Sequence, residues 1–274
     1  METEKRAAQK VWGICPAGWT HAQDFQIGTK EFFESVIKKR ASRELPFLSD
    51  ILNEYKFEGM KVLEIGFGSG YDAYEFCRRS ARVYGIDITP SLPKIAKRHL
   101  GYYGYDPALI NADAEAVPFK DNSFDFIYSF GVLHHTPNIN KALSEAYRVC
   151  KKGGKGMIAV YNKNSIFYWC TLYLYDYLFR LRFRNYTMKQ RLQTVEYSLS
   201  DEKPLVNVYS MKQFKLLLNN IGFIVEKVLI RKLEPEDLPP IPLIKGLGRY
   251  IPKNIFNILG KRWGWYLIGM IKKE

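Results

Sequence analysis

Residues 61–87 read KVLEIGFGSGYDAYEFCRRSARVYGID, and this stretch predicts the core of the fold. Its short apolar run at 62–65 suits a strand that is buried on both faces. Three glycines follow the strand directly: Gly66, Gly68 and Gly70. Because glycine lacks a Cβ, the backbone can turn sharply there and approach a ligand closely before a helix at 71–79. Strand, glycine turn and helix in this order are typical of α/β folds that bind dinucleotides.

Two carboxylates flank the glycine turn and indicate the kind of ligand. A second strand at 82–86 ends in Asp87, about 20 residues past the glycines, where a carboxylate accepts hydrogen bonds from a ribose diol. Glu64 ends the first strand, where an anion offers nothing to a pyrophosphate but attracts an ammonium or sulfonium group. The pattern therefore favours a nucleoside cofactor with a positive charge. The alternative is that the three glycines form only a loop.

Motifs further along the chain resemble those of a known family. They are D-A-E-x-x-P-F at 113–119, S-F-D at 123–125 and G-V-L-H-H at 131–135. With E-x-G-x-G-x-G at 64–70, they resemble the class I S-adenosylmethionine (SAM) methyltransferases, and in particular the UbiE-like branch that is often labelled type 11. The likeness covers roughly 60–160, with a looser one at 12–18. Cys150 and Lys152 depart from it, since the family usually has Leu and Pro there.

The resemblance implies an α/β fold around a Rossmann-like sheet of seven mostly parallel strands, the last of them antiparallel. We expect four segments: an N-terminal helical or lid segment at 1–58, a SAM-binding core at 59–162, an aromatic and basic helical insertion at 163–208, and a part completing the sheet at 209–274. Five prolines at 233–253 predict an irregular surface loop, and 263–272 is predicted as the seventh strand.

The resemblance also implies SAM as the cofactor, with S-adenosylhomocysteine as the product. The predicted cofactor-binding residues lie mostly at the carboxyl ends of strands, where open α/β sheets bind ligands. They are Glu64, Gly66, Phe67, Gly68, Gly70, Asp87, Ile88, Asp113, Ala114, Ser129 and Gly131. Among these, Ile88 is expected to pack on the adenine ring and Asp113 to accept a hydrogen bond from its exocyclic amine.

Three residues are candidates for a catalytic role. Histidine is the side chain most easily tuned to accept a proton near neutral pH, which draws attention to His134 and His135. In the family, however, this pair largely belongs to the scaffold around the cofactor. Tyr161, at the end of the fifth strand, is expected to orient a nucleophile. Direct in-line transfer needs mainly alignment and exclusion of water, so neither a cysteine nucleophile nor a metal is expected.

Two aromatic segments are expected on the acceptor side. The first, 12–33, mixes aromatics with turn residues and is predicted to be an irregular lid over the cofactor, or else a simple N-terminal brace. The second, 165–191, is nearly all apolar or aromatic at first and then basic. It predicts a cap over a hydrophobic pocket, a basic amphipathic anchor on anionic lipid, or a helix buried in the domain. The expected substrate and lid residues are Trp12, Trp19, Phe25, Tyr161 and Phe167.

Charge and cysteine content limit the partners and the compartment. The net charge is +13, and residues 151–274, with 22 Lys and Arg against 9 Asp and Glu, carry all of the excess. Such asymmetry indicates an anionic partner, which could be a membrane surface, an acidic substrate or nucleic acid, or else a basic face that only aids solubility. Four cysteines without metal-site spacing predict reduced thiols and no metal, and the first ten residues lack a secretory pattern, so a cytoplasmic location is expected.

The acceptor class follows partly from missing motifs. The fourth strand is not followed by the N-P-P-Y-like run of enzymes that methylate amino groups on adenine or glutamine, and no P-C pair is present for attack on cytosine. A small acceptor, hydrophobic or anionic, is therefore predicted. The alternatives are an RNA methyltransferase, which the charge alone favours, and a non-catalytic SAM-binding regulatory or assembly protein.

Overall fold

A single sheet organises the protein, for which the computed structural model describes residues 2–196 and 201–274. The strands described are β1 Lys61–Ile65, β2 Arg82–Asp87, β3 Ala108–Asn111, β4 Phe124–Phe130, β5 Cys150–Asn162, β6 Val208–Tyr209, β7 Ile224–Arg231 and β8 Tyr266–Lys272. Their order is β3-β2-β1-β4-β5-β8-β7, and β6 pairs with the end of β5. Among these strands, β8 alone runs in the direction opposite to all the others. The predicted mostly parallel sheet is confirmed, with the two-residue β6 as an eighth strand.

Ten α-helices accompany the described strands, together with short turns of other helix types. The α-helices are α1 Glu2–Ile14, α2 Lys30–Lys39, α3 Leu48–Leu52, α4 Tyr71–Cys77, α5 Leu92–Gly101, α6 Ile139–Val149, α7 Met188–Leu192, α8 Met211–Ile221, α9 Pro242–Tyr250 and α10 Lys253–Trp263. The 3-10 turns are Trp19–His21, Leu133–His135, Arg182–Arg184 and Pro235–Asp237, and the π-helices are Arg40–Glu44 and Phe167–Phe179. Side-chain caps determine where some of these helices begin: Thr29 caps the N-terminus of α2, and Ser210 with Gln213 forms a capping box at the N-terminus of α8.

The hydrophobic core lies on both faces of the central strands. One cluster joins Leu52, Phe76 and Phe126 on the face covered by α3, α4 and α5. The other joins Ile65 and Leu143, among others, on the face covered by α6 and α8. Because β1, β4 and β5 are enclosed on both sides, their buried central residues form short apolar runs, such as 126–128 in β4 and 157–161 in β5.

The C-terminal part differs from the sequence prediction at 233–253. The predicted irregular loop is wrong, because α9 occupies much of it and Pro235–Asp237 forms a 3-10 turn. Pro235 and Pro242 stand at the first positions of their helices, where a missing N–H breaks no hydrogen bond, and Pro252 precedes α10. Since α10 continues through Trp263, the last strand begins at Tyr266 rather than at 263. Lys273, directly after β8, is buried and donates hydrogen bonds to the carbonyls of Tyr147 and Cys150.

The N-terminal aromatic segment is only partly irregular. Trp12 belongs to α1, a helix that buries Ala8 and Val11. The charged residues at 1–10 do not by themselves predict this helix. The loop with the 3-10 turn Trp19–His21 follows it and leads into α2. The irregular lid predicted from residue 12 therefore begins with an ordered helix.

The insertion after β5 is a π-helix, Phe167–Phe179, with one inner and one outer face. Its inner face buries Tyr168, Leu172 and Asp176. Asp176 points inward and pairs with Arg191 of α7 as well as with Arg180. The outer face exposes apolar side chains: Trp169, Leu174, Leu178 and Phe179. In the part of the chain that the structure describes, no helix is both long enough and apolar enough to cross a bilayer.

Candidate cofactor and acceptor site

A cavity of about 380 Å³ opens at the carboxyl ends of the parallel strands and extends under α1. Most of the residues predicted for the site line it, although they come from distant parts of the chain. They are Trp12, Trp19, Glu64, Gly66, Phe67, Gly68, Asp87, Ile88, Asp113, Ala114, Gly131, His135 and Tyr161. The cavity therefore joins the predicted cofactor residues to three of the predicted acceptor-side residues.

The glycine turn between β1 and α4 forms the floor of the cavity. Gly66, Gly68 and Gly70 all have positive φ, with values of 80°, 53° and 84°. A Cβ on Gly66 would lie 2.3 Å from Cγ2 of Val132, so the position excludes any larger residue without a shift of its neighbour. Gly70 precedes α4 and packs near Ala96 instead of lining the cavity.

Asp87 is held rigidly at the end of β2. Its two carboxylate oxygens accept hydrogen bonds from the amides of Gly68 at 3.0 Å and Thr89 at 2.9 Å. Burial raises the pKa of Asp87, while the two amide donors oppose that effect. The carboxylate is thus oriented by the backbone and keeps lone pairs available at the cavity wall.

Glu64 is the most unusual group in the cavity. Only 2% of its surface is exposed, and its Oε2 has no hydrogen-bond partner. Burial and repulsion from Asp72 raise the pKa of Glu64 well above its usual value, with Arg40 acting in the opposite direction. A buried, unpaired carboxylate on a cavity wall fits a cationic ligand, because the ligand would supply the missing partner.

Arg40 is a cavity residue that sequence reasoning missed. Its Nε and Nη2 donate to the two oxygens of Asp72 at 2.9 and 2.7 Å, and the Tyr128 hydroxyl donates to the same carboxylate. Asp72 is at the start of α4, directly behind the glycine turn. Arg40 belongs to an ordinary charged run in the sequence, so only the tertiary fold shows that it forms a bidentate ion pair with Asp72.

Asp113 and Ser129 have partners within the protein. Lys5 of α1 donates to Asp113 at 2.6 Å and to Glu115 at 2.9 Å, which holds α1 over the side of the cavity that contains Asp113. The other Asp113 oxygen accepts the Glu115 amide. The hydroxyl of Ser129 is buried, donates to the Ile65 carbonyl and does not line the cavity.

The other end of the cavity is polar and aromatic. His135 Nδ1 is 2.6 Å from the carbonyl oxygen of Leu205, and the Tyr161 hydroxyl donates to Glu196. His135 Nε2 lies 3.7 Å from Glu196 Oε1. Burial, together with the nearby charge of Glu196, raises the pKa of Tyr161 well above its usual value, so its phenol stays protonated. Glu196 was not predicted, since no local motif marks it.

His134 lies behind this end of the cavity. Its ring is fully buried, 3.8 Å from the ring of Tyr161, and neither ring nitrogen has a hydrogen-bond partner. Burial lowers the pKa of His134 well below its usual value, so the imidazole is neutral. Unlike His135, His134 is absent from the cavity wall.

Two aromatic residues predicted for the acceptor side lie elsewhere. Phe25 is exposed, because it belongs to the loop after the 3-10 turn. Phe167 packs edge-on against Trp265, with ring centroids 4.9 Å apart, at the start of the π-helix. Neither lines the cavity, and both placements correct the sequence prediction. Trp12 does line it and packs edge-on against His135.

The strand order and the carboxylates at the ends of β1 and β2 define a class I methyltransferase-type α/β fold. Residues 63–158 match the family described as "Methyltransferase domain". Solved structures with the same fold include the putative methyltransferase in complex with the Trm112 activator of Haloferax volcanii. That chain has a TM-score of 0.56 at 18% identity, over 87% of this chain and 94% of that one. Another is the [4+2]-cyclase SpnF, with a TM-score of 0.56 at 16% identity, over 88% and 82%.

Curated relatives match the same central region. The UbiE C-methyltransferase of ubiquinone and menaquinone biosynthesis from Allorhizobium ampelinum is 36% identical over 118 residues, which are 41% of this chain and 45% of that protein. The mitochondrial 2-methoxy-6-polyprenyl-1,4-benzoquinol methylase of Oryza sativa is 34% identical over 122 residues, 36% and 41% of the two chains. The chain thus spans less than half the length of these curated relatives. The resemblance predicted from the motifs is confirmed: the central region of the chain is similar to class I SAM-dependent methyltransferases of the UbiE-like type.

Proposed function

We propose that the protein transfers a methyl group from SAM to a small acceptor of the quinol or phenol type. The observation that carries this proposal is the buried Glu64 carboxylate, which lines the same cavity as Asp87 and has one oxygen without a hydrogen-bond partner. These two anions, one on each side of a glycine turn, suit a ligand with a charged amino-acid end and a ribose. The match of residues 63–158 to the methyltransferase domain and the fold support SAM as that ligand.

The protein's own residues would hold the cofactor and keep water away. Glu64 would receive the ammonium group, Asp87 the ribose hydroxyls, and the open backbone of Gly66 and Gly68 would allow close approach. Lys5, fixed to Asp113, holds α1 over this end. SAM supplies an electrophilic methyl group, so the chain contributes chiefly alignment of the acceptor for in-line displacement, an effect of up to roughly 7–11 kcal/mol.

The acceptor class follows from the other end of the cavity. Aromatic side chains line it, namely Trp12, Phe130, Tyr161 and Tyr266, and His135 and Glu196 supply polar atoms. A flat ring with a hydroxyl group suits such walls. The relatives named for quinone biosynthesis and benzoquinol methylation support this class. SpnF shows that the fold alone does not determine the reaction, so the acceptor must be tested directly.

We further infer that the protein associates with the surface of an anionic membrane in a reducing compartment such as the cytoplasm. The outer face of the π-helix exposes Trp169, Leu174 and Phe179, and Arg182 and Arg184 follow in the next turn. Apolar side chains beside cations suit a lipid interface, and lipophilic quinols reside there. All four cysteines are free, which agrees with reduced thiols.

The decisive experiment uses SAM with a deuterated methyl group. We expect the protein to transfer the label to a compound in a lipid extract of the source cells, detected by mass spectrometry as one product with the added mass. RNA and aqueous extracts serve as parallel acceptors. Label found only in RNA would support the RNA methyltransferase alternative, and SAM binding without any labelled product would support a non-catalytic protein.

Calorimetry with S-adenosylhomocysteine tests the cofactor role of Glu64 separately. Glu64→Gln removes the charge and keeps the shape, and the loss of a charge-assisted hydrogen bond predicts an affinity about 10- to 100-fold lower. Glu58→Gln, an exposed carboxylate near β1, is the matched control and should bind normally. Equal affinity of all three proteins would contradict the assignment.

A further inference from the structure

Three potential metal ligands meet at the acceptor end of the cavity. His134 and His135 lie in the 3-10 turn after β4, and Glu196 comes from the segment after α7. One ligand atom from each residue lies within 4.8 Å of the other two. Both histidines are buried and Glu196 is mostly so, unlike the exposed acidic groups that often cluster without function.

The hydrogen bond between His135 Nδ1 and the carbonyl oxygen of Leu205 determines which ring nitrogen of His135 has a free lone pair. The carbonyl of Leu205 can only accept, so Nδ1, 2.6 Å away, must carry the proton. In the neutral ring, Nε2 then presents a lone pair, and it has no hydrogen-bond partner. Its nearest charged neighbour is Glu196 Oε1 at 3.7 Å. Two electron-pair donors therefore face each other, an arrangement that is stabilised by a cation between them.

His134 adds a third donor. It is fully buried, and both of its ring nitrogens lack partners in the structure. A neutral imidazole always has one nitrogen with a free lone pair, and an unsatisfied buried polar group is costly. Coordination of one nitrogen would remove part of that cost.

The surroundings of these residues resemble the outer shell of a metal site. Ligating histidines usually donate their second N–H to a carbonyl or carboxylate, as His135 does to Leu205. The Tyr161 hydroxyl donates to Glu196 and orients that carboxylate. Asn207 donates from its backbone and its side chain to the carbonyl of His134, at 3.0 and 3.2 Å, which holds the histidine turn in place.

We propose that His134, His135 and Glu196 bind a divalent transition-metal ion such as zinc or cobalt(II). Two imidazoles and one carboxylate form a donor set that such ions favour, and it leaves coordination positions open. Ligand atoms at about 2.1 Å from a common ion lie roughly 3.4 Å apart. The three donors, now within 4.8 Å of one another, need to close by about an ångström on binding.

The site borders the cavity, since His135 and Glu196 both line it. An acceptor with a hydroxyl or enol oxygen would fill an open coordination position and would lose its proton more readily there. His135 would then be a metal ligand rather than a proton acceptor. This role rests on the proposed methyl transfer, whereas ion binding itself does not.

The test measures metal binding directly, without the reaction. The full-length protein, stripped with a chelator, is titrated with cobalt(II) and followed by its visible absorption, and zinc binding is measured by calorimetry. We expect one ion per chain and an affinity at least tenfold lower in His135→Ala and in Glu196→Gln. His21→Ala, which removes a half-buried histidine paired with Glu44, is the control and should bind normally.

Binding of S-adenosylhomocysteine shows that each variant is folded, so a failure of the metal site is distinguishable from a failure of the proposed function. His134→Ala is not needed, which avoids a substitution in the core. The proposal is overturned if the unmodified protein takes up no cobalt or zinc, or if His135→Ala and Glu196→Gln bind as tightly as the unmodified protein does.

Discussion

Ionisation of the Glu64 carboxyl group is energetically unfavourable when no cation is bound next to it. Its side chain is almost fully buried, one oxygen is unpartnered, and Asp72 adds repulsion. Residues that bind charged ligands often reduce the stability of the free protein in this way. The proposed role of Glu64 in cofactor binding would therefore increase ligand affinity while its burial lowers folding stability.

This link predicts how stability depends on pH. Because folding raises the pKa of Glu64 above its usual 4.5, the folded state disfavours the charged form, and the cost appears as the pH rises above about 4.5. Glu64→Gln has no such cost. The variant's advantage in free energy of unfolding should thus be near zero at pH 4 and grow with pH, at up to about 1.4 kcal/mol per pH unit. Urea denaturation of the ligand-free proteins between pH 4 and 8 measures it, and a difference that is constant with pH would refute the prediction.

Predictability from sequence varies sharply between the residues of the site. Glu64 and Asp87 were found because they stand at fixed offsets from three glycines, so chain-local geometry determines their placement. Arg40 and Glu196 lie outside any motif and reach the cavity only through tertiary packing. His134 and His135 are both candidates from the sequence. Adjacent positions do not predict that His135 lines the cavity while His134 is buried behind it.

At the scale of elements, the turn between β1 and α4 is restricted by its neighbour as well as by its own torsion angles. Gly66 and Gly153 both have positive φ, of 80° and 75°. A Cβ at Gly66 would clash with Val132, whereas one at Gly153 would meet nothing within 4 Å. A comparison of substitutions at the two glycines therefore distinguishes the cost of a positive φ from the cost of a steric clash.

We expect Gly153→Ala to lower the free energy of unfolding by about 1 kcal/mol, the cost of a side chain at positive φ. Gly66→Ala should lose about 1–3 kcal/mol more, because Val132 must also move. Thermal and urea unfolding of both variants provide the comparison. Equal losses would mean that Val132 yields freely and that only the backbone torsion restricts the turn.

Helices were less predictable than the sheet. The strands of the core contain short apolar runs, which are typical of buried parallel strands. The sequence does not predict α9, because the prolines at 233–253 suggest helix breakers, although a proline at the first helical position, as Pro242 is, is tolerated. The insertion after β5 is helical, as one of its predicted forms requires, but the sequence does not predict its π type or the pairing of Asp176 with Arg191.

For the whole molecule, the uneven charge and the exposed aromatic face occur in the same half of the sequence. All of the excess positive charge lies in 151–274, which also contains the π-helix and its exposed outer face. Phe179 is 77% exposed there, an uncommon position for a phenylalanine. Together these features support the proposed orientation of this side toward anionic lipid.

Vesicle sedimentation tests this orientation. We expect binding to phosphatidylglycerol vesicles that weakens as salt is added and that is slight on neutral phosphatidylcholine. Phe179→Ser should reduce binding about tenfold or more, since burial of a phenylalanine side chain contributes about 1.5–3 kcal/mol. Leu216→Ser, on the exposed side of α8, is the matched control. Equal loss in both variants would argue against a specific membrane face.

The position of β8 has a consequence for synthesis on the ribosome. This strand separates β5 from β7, so β7 can join the sheet only after residues up to Lys272 have emerged from the exit tunnel. Until then the nascent chain presents most of β5 as an uncovered apolar edge, a surface that chaperones recognise and that pairs readily with other chains. Translation through β8 therefore sets the earliest moment at which the sheet can be completed.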